Sequence, residues 1–140
     1  MALKMTKTDL QAFLVDHFPQ VAQDFTVIEV TDATTKIRMH ISDSNLRPGG
    51  TVSGPSMFTL ADVSIYLTIL AKIGPKALAV TTSCSIDFMR KPAAHADLIA
   101  TARLLKLGRV LAVGDVLIHS ENQADPVARA SLTYSIPPNA

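Results

Sequence analysis

The chain has 140 residues, 48% apolar and 18% charged, with a net charge of +1. That suffices for one domain with a buried core, is too short for two of ordinary size, and has neither the low hydrophobicity nor the high charge of a disordered chain. Thirteen basic against twelve acidic residues leave no overall field to draw nucleic acid or an anionic membrane, aromatics at 5% without tryptophan argue against stacking platforms for single strands, and one cysteine, Cys84, excludes an internal disulfide or a multi-cysteine metal site.

The N-terminal MALKMTKTDLQAFLVDHF lacks the continuous apolar core of a signal peptide, because Asp9, Gln11 and Asp16 interrupt it; a soluble, cytoplasmic protein is the expectation. Thr8 is placed to cap a helix running to about Phe18, with Leu10, Phe13, Leu14 and His17 on one face and Pro19 ending it. Phe25–Val30 and Thr35–Ile41 read as strands joined by a turn, the second alternating Lys36, Arg38 and His40 with Ile37, Met39 and Ile41. Loop chemistry follows, with three glycines and two prolines from Pro48 to Pro55, and then the longest predicted helix, from about Pro55 to Ile73, stopped by Gly74-Pro75. Four strands are predicted after it: Ala77–Met89, Asp97–Leu107, Val110–Ser120 and Pro126–Ile136. A long helix followed by consecutive antiparallel-type strands is the pattern of an α+β fold.

The long helix is apolar on most sides, which predicts burial on most sides, and a chain this small buries it by curling a sheet around it. Thr59, Asp62, Ser64, Thr68 and Lys72 interrupt its apolar run, which reads as falling short of a membrane span. Asp62, with Thr59 and Tyr66 one turn to either side, is a carboxylate in apolar company, costly unless paired, hydrogen-bonded or facing a cavity. The plainer reading puts it on a solvated edge. Gly54 opens the helix, where free N–H groups and the helix dipole suit a developing negative charge; an ordinary capped start explains the same residues, and the loop alone leaves both open. Eight residues separate Gly54 from Asp62, roughly 12 Å along a helix axis, so one reacting carbonyl cannot touch both in a single chain. A catalytic reading therefore predicts a dimer.

Ser53 and Ser56 do not sit in a Gly-x-Ser-x-Gly frame and read as caps. His17, His40, His95 and His119 lack metal-ligand spacing, and Cys84 reads as a core residue of a strand. Arg90 and Lys91, with Arg103, Lys106 and Arg109 beyond, form a rim able to hold phosphates or simply a charged edge guarding a sheet.

Taken in order, the Gly-rich loop with Val52-Ser53-Gly54, the Thr59-Leu60-Ala61-Asp62 run, the segment from Thr81 to Arg90 and the three-strand finish resemble the hotdog-fold proteins, specifically the PaaI-like acyl-coenzyme A thioesterases. The resemblance covers about Phe25 to Ile136. It implies one hotdog domain over residues 1–140, its core at about 25–136 and its N-terminal helix at about 8–18, with a long central helix wrapped by a curved antiparallel sheet. It further implies a homodimer joined sheet edge to sheet edge, commonly in a dimer of dimers. Asp62 then matches the family's general base or nucleophile, Gly54 the amide that polarises the thioester carbonyl in the partner's site, and Thr81 the hydroxyl on the next strand, with Thr82 close behind. Ser53, Phe58, Tyr66, Thr82, Arg90 and Lys91 are the expected substrate-binding residues. No metal or redox cofactor is implied; coenzyme A enters as part of the substrate. The chain departs from the family where His-Gly-Gly reads Ser53-Gly54-Pro55 and where the upstream asparagine aligns near Arg47, with Asn45 two residues earlier. Pro55 has no N–H, and losing one oxyanion donor typically costs about 3 kcal/mol of transition-state stabilisation. That departure motivates a rival, a non-catalytic acyl-coenzyme A-binding protein. An acyl-thioester dehydratase or hydratase ranks last, because no histidine lies near the helix in sequence.

Overall fold

The structure, a computed structural model, describes residues 3–76 and 78–138. Helix α1 spans Lys7–His17 and is capped by Thr6, not by Thr8 as expected: the Thr6 hydroxyl accepts from the Asp9 amide at 3.1 Å while the Asp9 carboxylate accepts from the Thr6 amide at 2.9 Å. Gln11, the residue that would complete a box with Thr8, is spent elsewhere. Its side chain bonds the backbone of Phe25 (3.0 Å) and Val27 (2.8 Å), tying α1 to the first strand. Phe18 breaks the helix, and Pro19 then opens a single further turn, α2 (Pro19–Ala22), at a position where its missing N–H costs nothing.

Strands β1 (Phe25–Val30) and β2 (Thr35–Met39) follow. β2 stops short of the expected Ile41 because the Ile41 amide leaves the ladder for the Asp97 carboxylate at 2.9 Å. Helix α3 runs Gly54–Ile73 and ends at Gly74. β3 (Val80–Phe88), β4 (Leu98–Leu107), β5 (Leu111–Ser120) and β6 (Ala128–Ser135) match the four predicted strands within a few residues; Ala77, the expected start of the first, lies outside the described residues. All pairings are antiparallel, in the order β1-β2-β4-β5-β6-β3, which leaves β3 at one edge and β1 at the other.

The sheet wraps α3, which contacts β2, β3, β4, β5 and β6. From Ser64 to Lys72 every residue of α3 is buried, as apolarity on most sides requires. By length and composition alone α3 qualifies to cross a membrane, contrary to the expectation from its polar interruptions, because only two of those residues, Asp62 and Lys72, are charged. Here, however, 61% of its apolar window is buried inside the protein. Helix and sheet approach closely at Gly114 of β5, where a Cβ would lie 2.6 Å from the Ile65 side chain and 2.7 Å from the Arg103 carbonyl.

Candidate active site

Asp62 lies half-buried in α3, with eight residues of helix N-terminal to it, back to the first turn at Gly54 to Met57. Its Oδ1 accepts two hydroxyls from the sheet: Thr81 of β3 at 2.5 Å and Tyr134 of β6 at 2.7 Å. The Tyr134 hydroxyl also stands 3.0 Å from the Asp62 carbonyl oxygen. Among the described residues Oδ2 accepts no hydrogen bond. The carboxylate lies on the least buried stripe of α3, with Pro55, Phe58, Thr59 and Val63, yet its Oδ1 is turned to the sheet; among the described residues no cation pairs with it, and hydrogen bonding offsets the part of it that is buried.

Thr81 reaches the helix because β3 carries a bulge. Thr81 pairs with Tyr134, and the register slips between Thr81 and Ser83, so Thr82 is the extra residue. The half-buried positions run Thr81, Cys84, Ile86, a spacing of three and then two. Without the bulge Thr81 would share a face with Ser83 and Ser85 and turn away from Asp62. Thr82 is exposed, its hydroxyl on the Thr133 carbonyl at 3.3 Å.

Tyr134 escaped the reading of the sequence. Its signal was the sixth strand's alternation, in which Leu132, Tyr134 and Ile136 face inward: a tyrosine among buried apolar residues needs a partner for its hydroxyl. At 3% exposure its phenol is pushed well above the ordinary 10.0, first by burial and then by the Asp62 charge. Its ring stacks on Tyr66 at 6.2 Å, and Tyr66 in turn meets Phe13 at 6.1 Å and Phe18 at 5.7 Å. Tyr66, expected to bind substrate, is buried in an aromatic group to which α1 contributes, and burial raises its phenol too. Phe58 is exposed at 38%. Cys84 lies on the same face of β3 as Thr81; burial and the Asp62 charge push its thiol up, which keeps it protonated and poorly nucleophilic.

The other expected residues gather at the start of α3 or on the rim. Ser53 caps α3, accepting from the Ser56 amide at 3.3 Å, and Asn45 bonds the Ser56 hydroxyl at 3.1 Å. Gly54 contributes a first-turn amide, while Pro55 contributes none. The structure adds a packing reason for Gly54: a Cβ there would lie 3.2 Å from the tip of the Phe88 ring. Arg90 and Lys91 are exposed, Arg90 bonding the Pro126 carbonyl at 2.7 Å, while Arg103 is committed to Asp115 at 2.9 Å. Among the described residues no group of histidine, cysteine and carboxylate side chains is placed to hold a metal. A concavity of about 610 Å³ lies on the outer face of the sheet, lined by Asp87, Arg103, Asp115 and Arg129; of the residues expected at the site or its rim only Arg103 lines it.

Residues 49–127, more than half of the chain, match the Thioesterase superfamily family model. The chain is similar, at 54% identity over 99% of its length and 96% of the other's, to a protein of Silicibacter sp. TM1040 named as a putative thioesterase, with a TM-score of 0.93. In fold it is similar to a variant of the phenylacetic acid degradation protein PaaI from Thermus thermophilus (24% identity, 85% of this chain and 99% of that one, TM-score 0.71). A protein of Streptococcus pneumoniae TIGR4 named as a hypothetical thioesterase and solved with coenzyme A is similar in fold as well (21% identity, 93% and 95%, TM-score 0.72). The long helix in a six-stranded antiparallel sheet is the hotdog fold of these neighbours.

Proposed function

Because the chain belongs to the thioesterase superfamily, we propose that it hydrolyses an acyl-coenzyme A thioester to a carboxylic acid and coenzyme A, at a site completed between two copies of the chain. The observation that carries this reading is Asp62: the one acid in a mainly apolar helix, one oxygen held by two hydroxyls and the other without a partner among the described residues. Asp62 draws a proton from water as the water oxygen bonds to the thioester carbon, or bonds to that carbon itself in an anhydride that water then opens. Either way the carbonyl oxygen takes up negative charge, received by the Gly54 amide of the second copy. Collapse breaks the C–S bond and releases coenzyme A thiolate, a leaving group that needs little acid help.

The dimer follows from distance. Gly54 and Asp62 of one chain stand roughly 12 Å apart along the helix, so a shared carbonyl requires one from each copy. Phe58 and Tyr66 are assigned to the acyl side of the site, Ser53 and Thr82 to its margins, and Arg90 and Lys91 to the nucleotide phosphates. The pneumococcal neighbour solved with coenzyme A supports that choice of carrier. We assign no metal or redox cofactor, a dimer of dimers as the assembly, and a cytoplasmic location.

The test is a panel of acyl-coenzyme A esters with thiol release as the readout. Asp62→Asn is expected to lose at least about a hundredfold in kcat with its circular dichroism unchanged; wild-type turnover by the variant on every ester the native chain cleaves would overturn the assignment. One observation favours a second reading: Ser53 is spent as a cap and Pro55 offers no N–H, which leaves Gly54 with little help as an oxyanion donor. Tight binding of coenzyme A esters with no thiol released would establish that non-catalytic role instead.

A further inference from the structure

We propose that Tyr134 is a positioning residue for Asp62, which together with Thr81 commits Oδ1 and leaves Oδ2 as the oxygen that reacts. The inference rests on the reading of Asp62 as the group that activates water or attacks the thioester.

A carboxylate oxygen offers two lone-pair sites, and two hydroxyl donors at 2.5 and 2.7 Å fill both on Oδ1. Both donors come from the sheet, from residues paired across β3 and β6, so they approach the carboxylate from one side. Oδ2 is left on the side away from them. Tyr134 suits this task better than a flexible donor. At 3% exposure, with its ring stacked on Tyr66, it has little water to bond and little freedom to turn. Its single proton has two acceptors within reach, Oδ1 and the Asp62 carbonyl oxygen at 3.0 Å, and the shorter, charge-assisted bond is to the carboxylate. A carboxylate pinned at one oxygen cannot swing its other oxygen away from a bound ester, and that pre-set geometry is what a reacting group requires.

The placement also separates binding from chemistry. Tyr134 is buried and bonds Oδ1, the oxygen this proposal keeps away from the ester, so removing its hydroxyl loosens the reacting group without removing a contact to the substrate. Tyr134→Phe in the full-length protein is therefore expected to lower kcat about tenfold or more while KM stays within about twofold.

A second readout is independent of turnover. The chain has no tryptophan and two tyrosines, so in a Tyr66→Phe background all aromatic emission above that of phenylalanine comes from Tyr134. A phenol bonded to a carboxylate is quenched, and adding Asp62→Asn to that background is expected to raise the emission at neutral pH. A Tyr134→Phe enzyme with wild-type kcat beside an inactive Asp62→Asn would overturn this inference and leave the assignment of Asp62 standing. An active Asp62→Asn would remove both. Should Tyr134→Phe fail to fold, the emission decides: an unchanged signal on Asp62→Asn overturns the proposal.

Discussion

Ser64 and Tyr134 show how differently two buried hydroxyls fare in one core. The Tyr134 hydroxyl is satisfied by a carboxylate, whereas the Ser64 Oγ, fully buried on α3, has no partner among the described residues. An unpaired buried hydroxyl costs about 1–3 kcal/mol, and alanine is also the better helix former. Ser64→Ala is accordingly expected to raise the unfolding free energy by about 1 kcal/mol, read from chemical denaturation; a loss of stability would mean that the hydroxyl has a partner in solution. The tyrosines set a pH dependence. Both phenols titrate above the ordinary 10.0 in the folded chain, Tyr134 through burial and the Asp62 charge and Tyr66 through burial. Their contribution is whole below 10.0, where folded and unfolded chains both hold the proton, and is lost as pH climbs toward the folded-state values, because the unfolded chain alone gives the proton up. The melting temperature is expected to fall steeply above pH 10.0 and less steeply in Tyr134→Phe; identical slopes would contradict the assignment.

At the scale of elements, the contact between α3 and β5 turns on the absence of a side chain. Ile65 rests where a Cβ of residue 114 would stand, and the Arg103 carbonyl, which has little freedom to move, closes the same space. Gly114→Ala therefore forces backbone apart as well as a side-chain tip, at an expected cost of about 2 kcal/mol in equilibrium unfolding, within the usual range for overpacking. A variant as stable as the parent would show that helix and sheet are less closely joined there. The Thr82 bulge works on the same scale with a different consequence. One extra residue in β3 turns Thr81 toward the helix and leaves the neighbouring hydroxyl of Thr82 to the Thr133 carbonyl of β6.

In the whole molecule the edge formed by β3 is unfinished. Val80, Phe88 and Met89 are exposed there at 56%, 52% and 43%, beside a row of backbone groups with no strand to pair with on that side. In the proposed dimer this edge is the surface assigned to the second copy, whose first-turn Gly54 would then serve the Asp62 site. Val80→Lys with Met89→Lys sets like charges on that edge and is expected to convert a dimer into folded monomers, followed by sedimentation, with hydrolysis lost in parallel. A charged-edge variant that stays fully active as a monomer would end the shared-site proposal.

Much of this was legible in the order of residues, and the rest was not for identifiable reasons. The all-round apolarity of residues 57–73, broken by one acid, determined a buried central helix, and alternation with loop chemistry placed the six strands to within a few residues. Asp62 and Gly54 stood out as candidates because each is a residue type out of keeping with its local pattern, whereas Thr81 was singled out only by the resemblance to the family. Tyr134 was not, since its bond to Asp62 joins residues 72 positions apart, and pairing across a sheet leaves no local trace. The choice of Thr81 over Thr82, and the helix cap at Thr6 over Thr8, were likewise settled only in three dimensions. Adjacent threonines are equivalent in sequence until a bulge assigns one to each side of the strand, and two candidate caps are equivalent until a third residue, Gln11, is claimed by a neighbouring strand.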